Sequence, residues 1–184
     1  MIEYIPKQLT TPPQLIPVVS AWCGLERVIE DIQSRFGLGR ELCLEFGVDW
    51  GYSTVALSNY FSKVTGVDWF KGDPHAGSRE VGTEQLVRSI LTAFPQIELI
   101  ADDYAHFITT CDKQYDLIHV DIIHTYEDTF KCGRWAIDHA PCVIFHDTDS
   151  FPGVRQAVEA IAEEVGAVAY NYPKHYGLGI IFRV

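Results

Sequence analysis

Acidic residues sit where the apolar runs of this chain stop. Glu45 lies near the end of the run 42–47, and Asp68 closes the run 63–68. Asp102 and Asp103 follow 98–101, Asp121 closes 115–121, and Asp147 follows 142–146. Runs of this length bounded by polar residues read as buried strands, so the acids mark strand tips. Carboxylates gathered there would accept hydrogen bonds from hydroxyl and amino groups, or hold a cation. Asp also favours strand-end loops for its own turn chemistry, but that reading has to be repeated at all five tips.

The first two tips narrow the chemistry. Between them lie Gly47, Gly51, Ser53 and Thr54, then a short helical pattern. A strand, a tight turn, a helix and a second strand ending in an acid form a nucleoside site, the distal acid taking the ribose hydroxyls. A dinucleotide site would need Gly-x-Gly-x-x-Gly to hold a pyrophosphate. This turn has two glycines, with Asp49 and Trp50 in place of the rest. A carboxylate at that point repels a diphosphate and tolerates a ligand bearing a sulfonium and an ammonium group, as S-adenosylmethionine does. Asp68 is therefore assigned to the ribose. Trp69 either stacks on adenine or packs the strand end. Glu45 orients the loop or reads the ammonium group, Gly47 lets the methionine portion approach, and Ser53 caps the helix and touches the ligand.

Two further stretches carry a resemblance: Asp121, His124, Tyr126 and Glu127 in one, His146, Asp147, Thr148, Pro152, Gly153 and Val154 in the other. With the Glu45–Thr54 motif, in this order, the chain resembles class I S-adenosylmethionine-dependent methyltransferases. It is most similar to the branch that methylates oxygens of small molecules and sugars. The resemblance spans roughly residue 41 to the C-terminus. It departs at Ile122 and Ile123, where the family usually has Gly after the Asp, and at Pro141 and Cys142, where a Gly-Gly turn is common. Both departures bear on the shape of the substrate pocket. The resemblance implies that Asp102 accepts a hydrogen bond from the adenine amino group. It also implies a Rossmann-like sheet.

Asp121 and Asp147 end neighbouring strands, and Asp149 follows closely. Three carboxylates converging suggest a hard cation such as magnesium; in related enzymes the metal lowers the pKa of substrate hydroxyls. In the other reading Asp121 meets only the cofactor's amino group and Asp147 holds a turn. His124 and His146 are the candidate bases, His124 being preferred because it follows the fourth strand where the acceptor should sit.

The elements that must position these residues follow from pattern. Residues 1–20, with Pro6, Pro12, Pro13 and Pro17, read as an irregular arm, and 21–37 as a helix ended by glycine. The rest, 41–184, alternates strand and helix and finishes with two strands and no helix between them. This predicts one α/β domain over 1–184: a doubly wound seven-stranded sheet, mostly parallel, with an antiparallel C-terminal hairpin strand. The loop 70–82 is either a lid or a surface excursion.

Composition sets bounds. A formal charge of −11 and scattered Lys and Arg disfavour nucleic acid and anionic membranes as partners. Five cysteines without a Cys-x-x-Cys pair make a zinc site improbable and argue for a reducing cytoplasm. The expected partner is a small-molecule acceptor. The short arm leaves little chain for a lid, so a second protomer in a homo-oligomer is one source of it. The rival readings are a nicotinamide-dependent oxidoreductase on the same architecture and a non-catalytic cofactor-binding or assembly domain.

Overall fold

A computed structural model describes residues 1–75 and 77–183. The first strand, β1 (Ile2–Glu3), precedes a 3-10 turn (Leu25–Val28) and α1 (Ile29–Phe36). Then come β2 (Leu42–Phe46), α2 (Tyr52–Leu57), β3 (Lys63–Asp68), β4 (Gly72–Asp73), β5 (Gly77–Ser78) and α3 (Thr83–Leu91). They are followed by β6 (Ile97–Ala101), α4 (Tyr104–Thr110), β7 (Leu117–Val120), α5 (Tyr126–His139), β8 (Cys142–His146) and α6 (Pro152–Val165). The hairpin β9 (Val168–Tyr172) and β10 (Leu178–Phe182) closes the chain.

The main sheet runs β1-β9-β10-β8-β7-β2-β3-β6. β2, β3, β6, β7 and β8 are parallel; β10 is antiparallel to both β8 and β9. The chain moves outward from β2 through β3 to β6, then returns to β7 on the other side of β2. The order therefore reverses at β2, and ligands of such sheets lie at the strand tips beside that point. The doubly wound reading holds, with one addition: β1 pairs in parallel with β9 as an eighth, two-residue edge strand.

Alternation across the pleat divides the core. Cys43 and Ile144 face one layer, with Leu25, Ile29 and Ile32 of the N-terminal helical segment and Val55 of α2. Leu44, Phe46 and Phe145 face the other, against Ile137 of α5 and Ile161 of α6. Because both faces are covered, β7 and β8 are buried throughout, which is why they read as unbroken apolar runs.

The arm is less irregular than its prolines suggest. Besides β1, it is anchored on Asp31 of α1, which is buried at the helix surface. The Tyr4 hydroxyl donates to Asp31 Oδ2 (2.6 Å), and the amides of Lys7 and Gln8 donate to Oδ1 (2.9 and 3.1 Å). One carboxylate thereby satisfies three donors of a segment without ladder partners. The expected helix over 21–37 begins only at Leu25 as a 3-10 turn and at Ile29 as an α-helix; the end of the arm and the turn at 21–24 deliver Ser20, Ala21 and Trp22 to the cleft at the strand tips.

Asp31→Ala should leave two backbone amides and a phenol without their acceptor. The expected loss is about 2–3 kcal/mol in urea unfolding, with new proteolysis between Ile5 and Thr10; unchanged stability would show that the arm is held by packing alone.

Candidate active site

The cleft over β2, β3, β7 and β8 has a volume of about 720 Å³. It begins with Asp68. Its Oδ2 accepts from the amides of Val48 and Asp49, both at 2.9 Å, and its Oδ1 accepts from the amide of Phe70 at 2.7 Å. Burial pushes the Asp68 carboxyl up, while the three amides oppose that rise. One carboxylate thus pins the loop after β2 to the tip of β3. It retains lone pairs toward the cleft, since an ionised carboxylate offers about four acceptor positions.

Gly47 and Gly51 are needed for reasons internal to the fold. Gly47 has φ 89°, and a Cβ there would lie 1.7 Å from the Asp121 carbonyl oxygen. The close approach that requires glycine is therefore to β7; Gly47 also lines the cleft. Gly51 (φ 85°) caps α2 without a side chain. Ser53 is consequently not the cap; it lies inside α2 and faces the cleft. Trp69 lines the cleft half-exposed, with Lys71 Nζ 5.7 Å from its ring centroid. Asp102 lines it too, paired with His106 Nδ1 at 2.8 Å.

Glu45 turns away. It is fully buried and absent from the cleft wall, which favours the orienting role over contact with an ammonium group. Thr54 Oγ1 donates to its Oε2, and His119 Nδ1 lies 2.9 Å from its Oε1. The other nitrogen of His119 is 3.1 Å from Trp22 Nε1. Indole only donates, so His119 Nε2 accepts and its proton sits on Nδ1, toward Glu45. This network joins the arm, β7, β2 and α2 beneath the cleft. Nothing in sequence spacing points to it, because its members are 97 positions apart at the extreme.

At the other end, His124 Nε2 lies 2.9 Å from Asp147 Oδ2 and 3.5 Å from Asp121 Oδ1. His146 Nδ1 lies 3.1 Å from Asp121 Oδ2 and 3.4 Å from Asp147 Oδ2. Burial alone would lower the His124 pKa, but the two carboxylates outweigh it and raise it to about 9. His146 is raised for the same reason. Burial would raise the Asp121 carboxyl; the charge of His146 and the hydrogen bonding of both histidines instead hold it far below the usual carboxylate range. The two carboxylates thus favour the charged form of His124. Asp149 is not in the cluster: it pairs with Arg155 (2.8 Å) and accepts from Asn171 Nδ2 (3.1 Å). Asp147 adopts φ 64°, which reverses the chain and carries Asp149 outward. His124 stands in the place expected of Asp149, and Asp121, His124 and Asp147 each offer a ligand atom within 4.8 Å of the others.

The loop 70–82 folds over the cleft as the hairpin β4–β5. Arg79 pairs with Asp49 and lies 5.7 Å from the Trp50 ring centroid. His75 packs edge-on against His124 (5.1 Å) and Phe151 (4.9 Å). His75, Phe151 and Tyr176 are wall residues that sequence reasoning missed; only the loop's length signalled the first. Eight aspartates line the cleft against one arginine and no lysine.

A doubly wound sheet with acid-tipped strands around its switch-point cleft is the architecture of a nucleoside-binding protein. The family described as a methyltransferase domain matches residues 44–148, more than half of the chain, and the chain belongs to it. Its fold is similar to that of a Staphylococcus aureus protein assigned to the caffeoyl-CoA O-methyltransferases (TM-score 0.68, 17% identity, 92% of this chain and 86% of that one). It is similar also to the Streptomyces achromogenes O-methyltransferase TomG in complex with SAM (0.65, 15%, 94% and 83%). A third is a Bacillus cereus O-methyltransferase in complex with SAH (0.60, 14%, 90% and 83%). No curated protein matches the sequence significantly. Among the described residues no helix is long and apolar enough to cross a membrane.

The raised pKa of His124 sets a pH dependence. Stability it contributes is complete below its ordinary value of about 6.5 and lost as pH rises through about 9. The stability difference between wild type and His124→Asn in urea should therefore be full near pH 6 and vanish by about pH 10; a pH-independent difference would contradict the ion cluster.

Proposed function

We propose that this chain transfers a methyl group from S-adenosylmethionine to an oxygen of a small molecule or sugar. One observation carries the reading of the ligand: the amides of Val48 and Asp49, the donors that would grip a pyrophosphate, are spent on Asp68. A nicotinamide dinucleotide would find those donors occupied and eight aspartates around it. A sulfonium and an ammonium group would be attracted by the same walls. The rival oxidoreductase reading is disfavoured on this ground, and membership of the methyltransferase domain family supports transfer over mere binding.

Within this reading Asp68 takes the ribose hydroxyls, and Asp102, with Trp69, frames the adenine. Ser53 and Gly47 border the methionine portion. Glu45 acts from beneath by fixing α2 through Thr54. S-adenosylmethionine brings an already activated methyl group, so the protein has to align the acceptor and keep water out. The hairpin β4–β5, with Arg79 on Asp49 and His75 on His124, closes the cleft from above. Asp121 and Asp147 hold the acceptor hydroxyl, and His124, in the fraction that has lost its own proton, takes the hydroxyl proton as the methyl group leaves the sulfur. A divalent cation fits beside them, drawing on these three residues and lowering the hydroxyl pKa when bound. Magnesium is the ion expected from the carboxylates alone. The acceptor is a small molecule and not a nucleic acid, given the formal charge of −11. The compartment is read as cytoplasmic, which suits five free cysteines.

Isothermal titration should show one S-adenosylhomocysteine bound per chain and no binding of a reduced nicotinamide dinucleotide. Asp68→Ala should weaken that binding by about tenfold or more, because it removes the ribose acceptor and strands buried amides. A folded protein that binds neither S-adenosylmethionine nor its demethylated product would refute the proposal.

A further inference from the structure

His119 is fully buried on β7 and stands outside the cleft wall. Both of its hydrogen bonds nevertheless lead to that wall. Through Nδ1 it reaches Glu45, whose other oxygen accepts from Thr54, and Thr54 follows the wall residues Tyr52 and Ser53. Through Nε2 it accepts, at 3.1 Å, from the indole of Trp22, itself a wall residue. A neutral imidazole can serve both because it donates from one nitrogen and accepts at the other. Apolar packing would bury Trp22 anyway, but a buried indole has one donor, and the partner of that donor fixes how the ring is turned.

The turn at 21–24 depends on this bond. Its internal hydrogen bonds are short-range: the Trp22 amide to Ser20 Oγ (3.1 Å), the Cys23 amide to the Ser20 carbonyl oxygen (3.2 Å) and the Leu25 amide to that of Trp22 (3.0 Å). They shape the turn without tying it to the sheet. The indole makes that tie. Two further contacts aim the turn at the cleft. The Tyr52 hydroxyl donates to Cys23 Sγ at 3.6 Å. On the other side the His175 ring lies against Gly24, where a Cβ would come within 2.2 Å of it. The turn is thereby set against the side of the cleft formed by Gly47, Tyr52 and Ser53.

We propose, on the methyl-transfer reading above, that His119 is a positioning residue for the methionine end of the cofactor. It touches no ligand. It locks the Trp22 turn and the first turn of α2 onto one buried carboxylate, so that the two walls flanking the methionine portion keep a fixed separation. The adenosine end is held independently, since Asp68 takes its bonds from Val48, Asp49 and Phe70, none of them a partner of His119. His119 therefore governs affinity for the amino-acid half of the ligand and leaves the nucleoside half alone.

The test compares S-adenosylhomocysteine with 5′-methylthioadenosine, which lacks the amino-acid portion, by calorimetry on the full chain. In His119→Asn the side-chain amide stands where Nδ1 stood and still donates to Glu45, but nothing reaches Trp22. S-adenosylhomocysteine affinity should fall about tenfold, and methylthioadenosine affinity should stay within about twofold. Trp22→Phe should show the same split, and the double variant should lose about tenfold where independent effects would multiply to about a hundredfold. Should His119→Asn not fold, Trp22→Phe carries the comparison of the two ligands by itself. Undiminished S-adenosylhomocysteine affinity in the folded variants, an equal loss for both ligands, or multiplying losses in the double variant would overturn this role and leave the methyl-transfer reading standing. A wild type that binds neither ligand would refute that reading and this role with it.

Discussion

The grip of one carboxylate on three backbone amides is the constraint from which the cleft follows. Asp68, at the tip of β3, accepts from Val48, Asp49 and Phe70 and so ties together the two loops that border the nucleoside end. Such charge-assisted bonds are stronger than neutral ones, and their burial makes the arrangement costly to leave. The grip has a chemical consequence beyond stability. It consumes the amide donors that other doubly wound folds present to phosphate and leaves an acid facing the ligand. Under the proposed function, this arrangement favours a sulfonium nucleoside over a dinucleotide.

A second buried layer supports the first. Glu45, His119, Trp22 and Thr54 link β2, β7, the arm and α2 below the cleft floor, each polar atom answered by another. Above the floor the backbone is under tension. Asp49, Phe70, Asp147 and Tyr176 all adopt positive φ and all line the cleft. Residues are held in that region only where surrounding structure over-determines them. Here the determinants are visible: Asp68 beside Asp49 and Phe70, and the histidine–carboxylate cluster beside Asp147.

Sequence reasoning reached the sheet and the acid tips because both depend on local periodicity. β8 has the same bounds in the sequence reading as in the structure, and the two closing strands form the expected hairpin. It did not reach Glu45's inward turn. Leu44 and Phe46 share one face of β2, so Glu45 must point to the other, but its partner emerges only when the register sets Glu45 beside His119. Asp149 failed for a related reason: spacing placed it near Asp147, and the positive φ of Asp147 carried it to Arg155. The arm looked irregular because its order comes from Asp31, a helix residue more than 20 positions away. Long-range side-chain contacts of this kind leave no periodic trace.

The account stands or falls on what occupies the tips of β2 and β3. A crystal structure of the protein grown with S-adenosylhomocysteine tests it most directly. The ribose hydroxyls should lie within hydrogen-bond distance of Asp68, with the sulfur directed toward Asp121 and His124. A ligand bound elsewhere, or a ribose out of reach of Asp68, would contradict it.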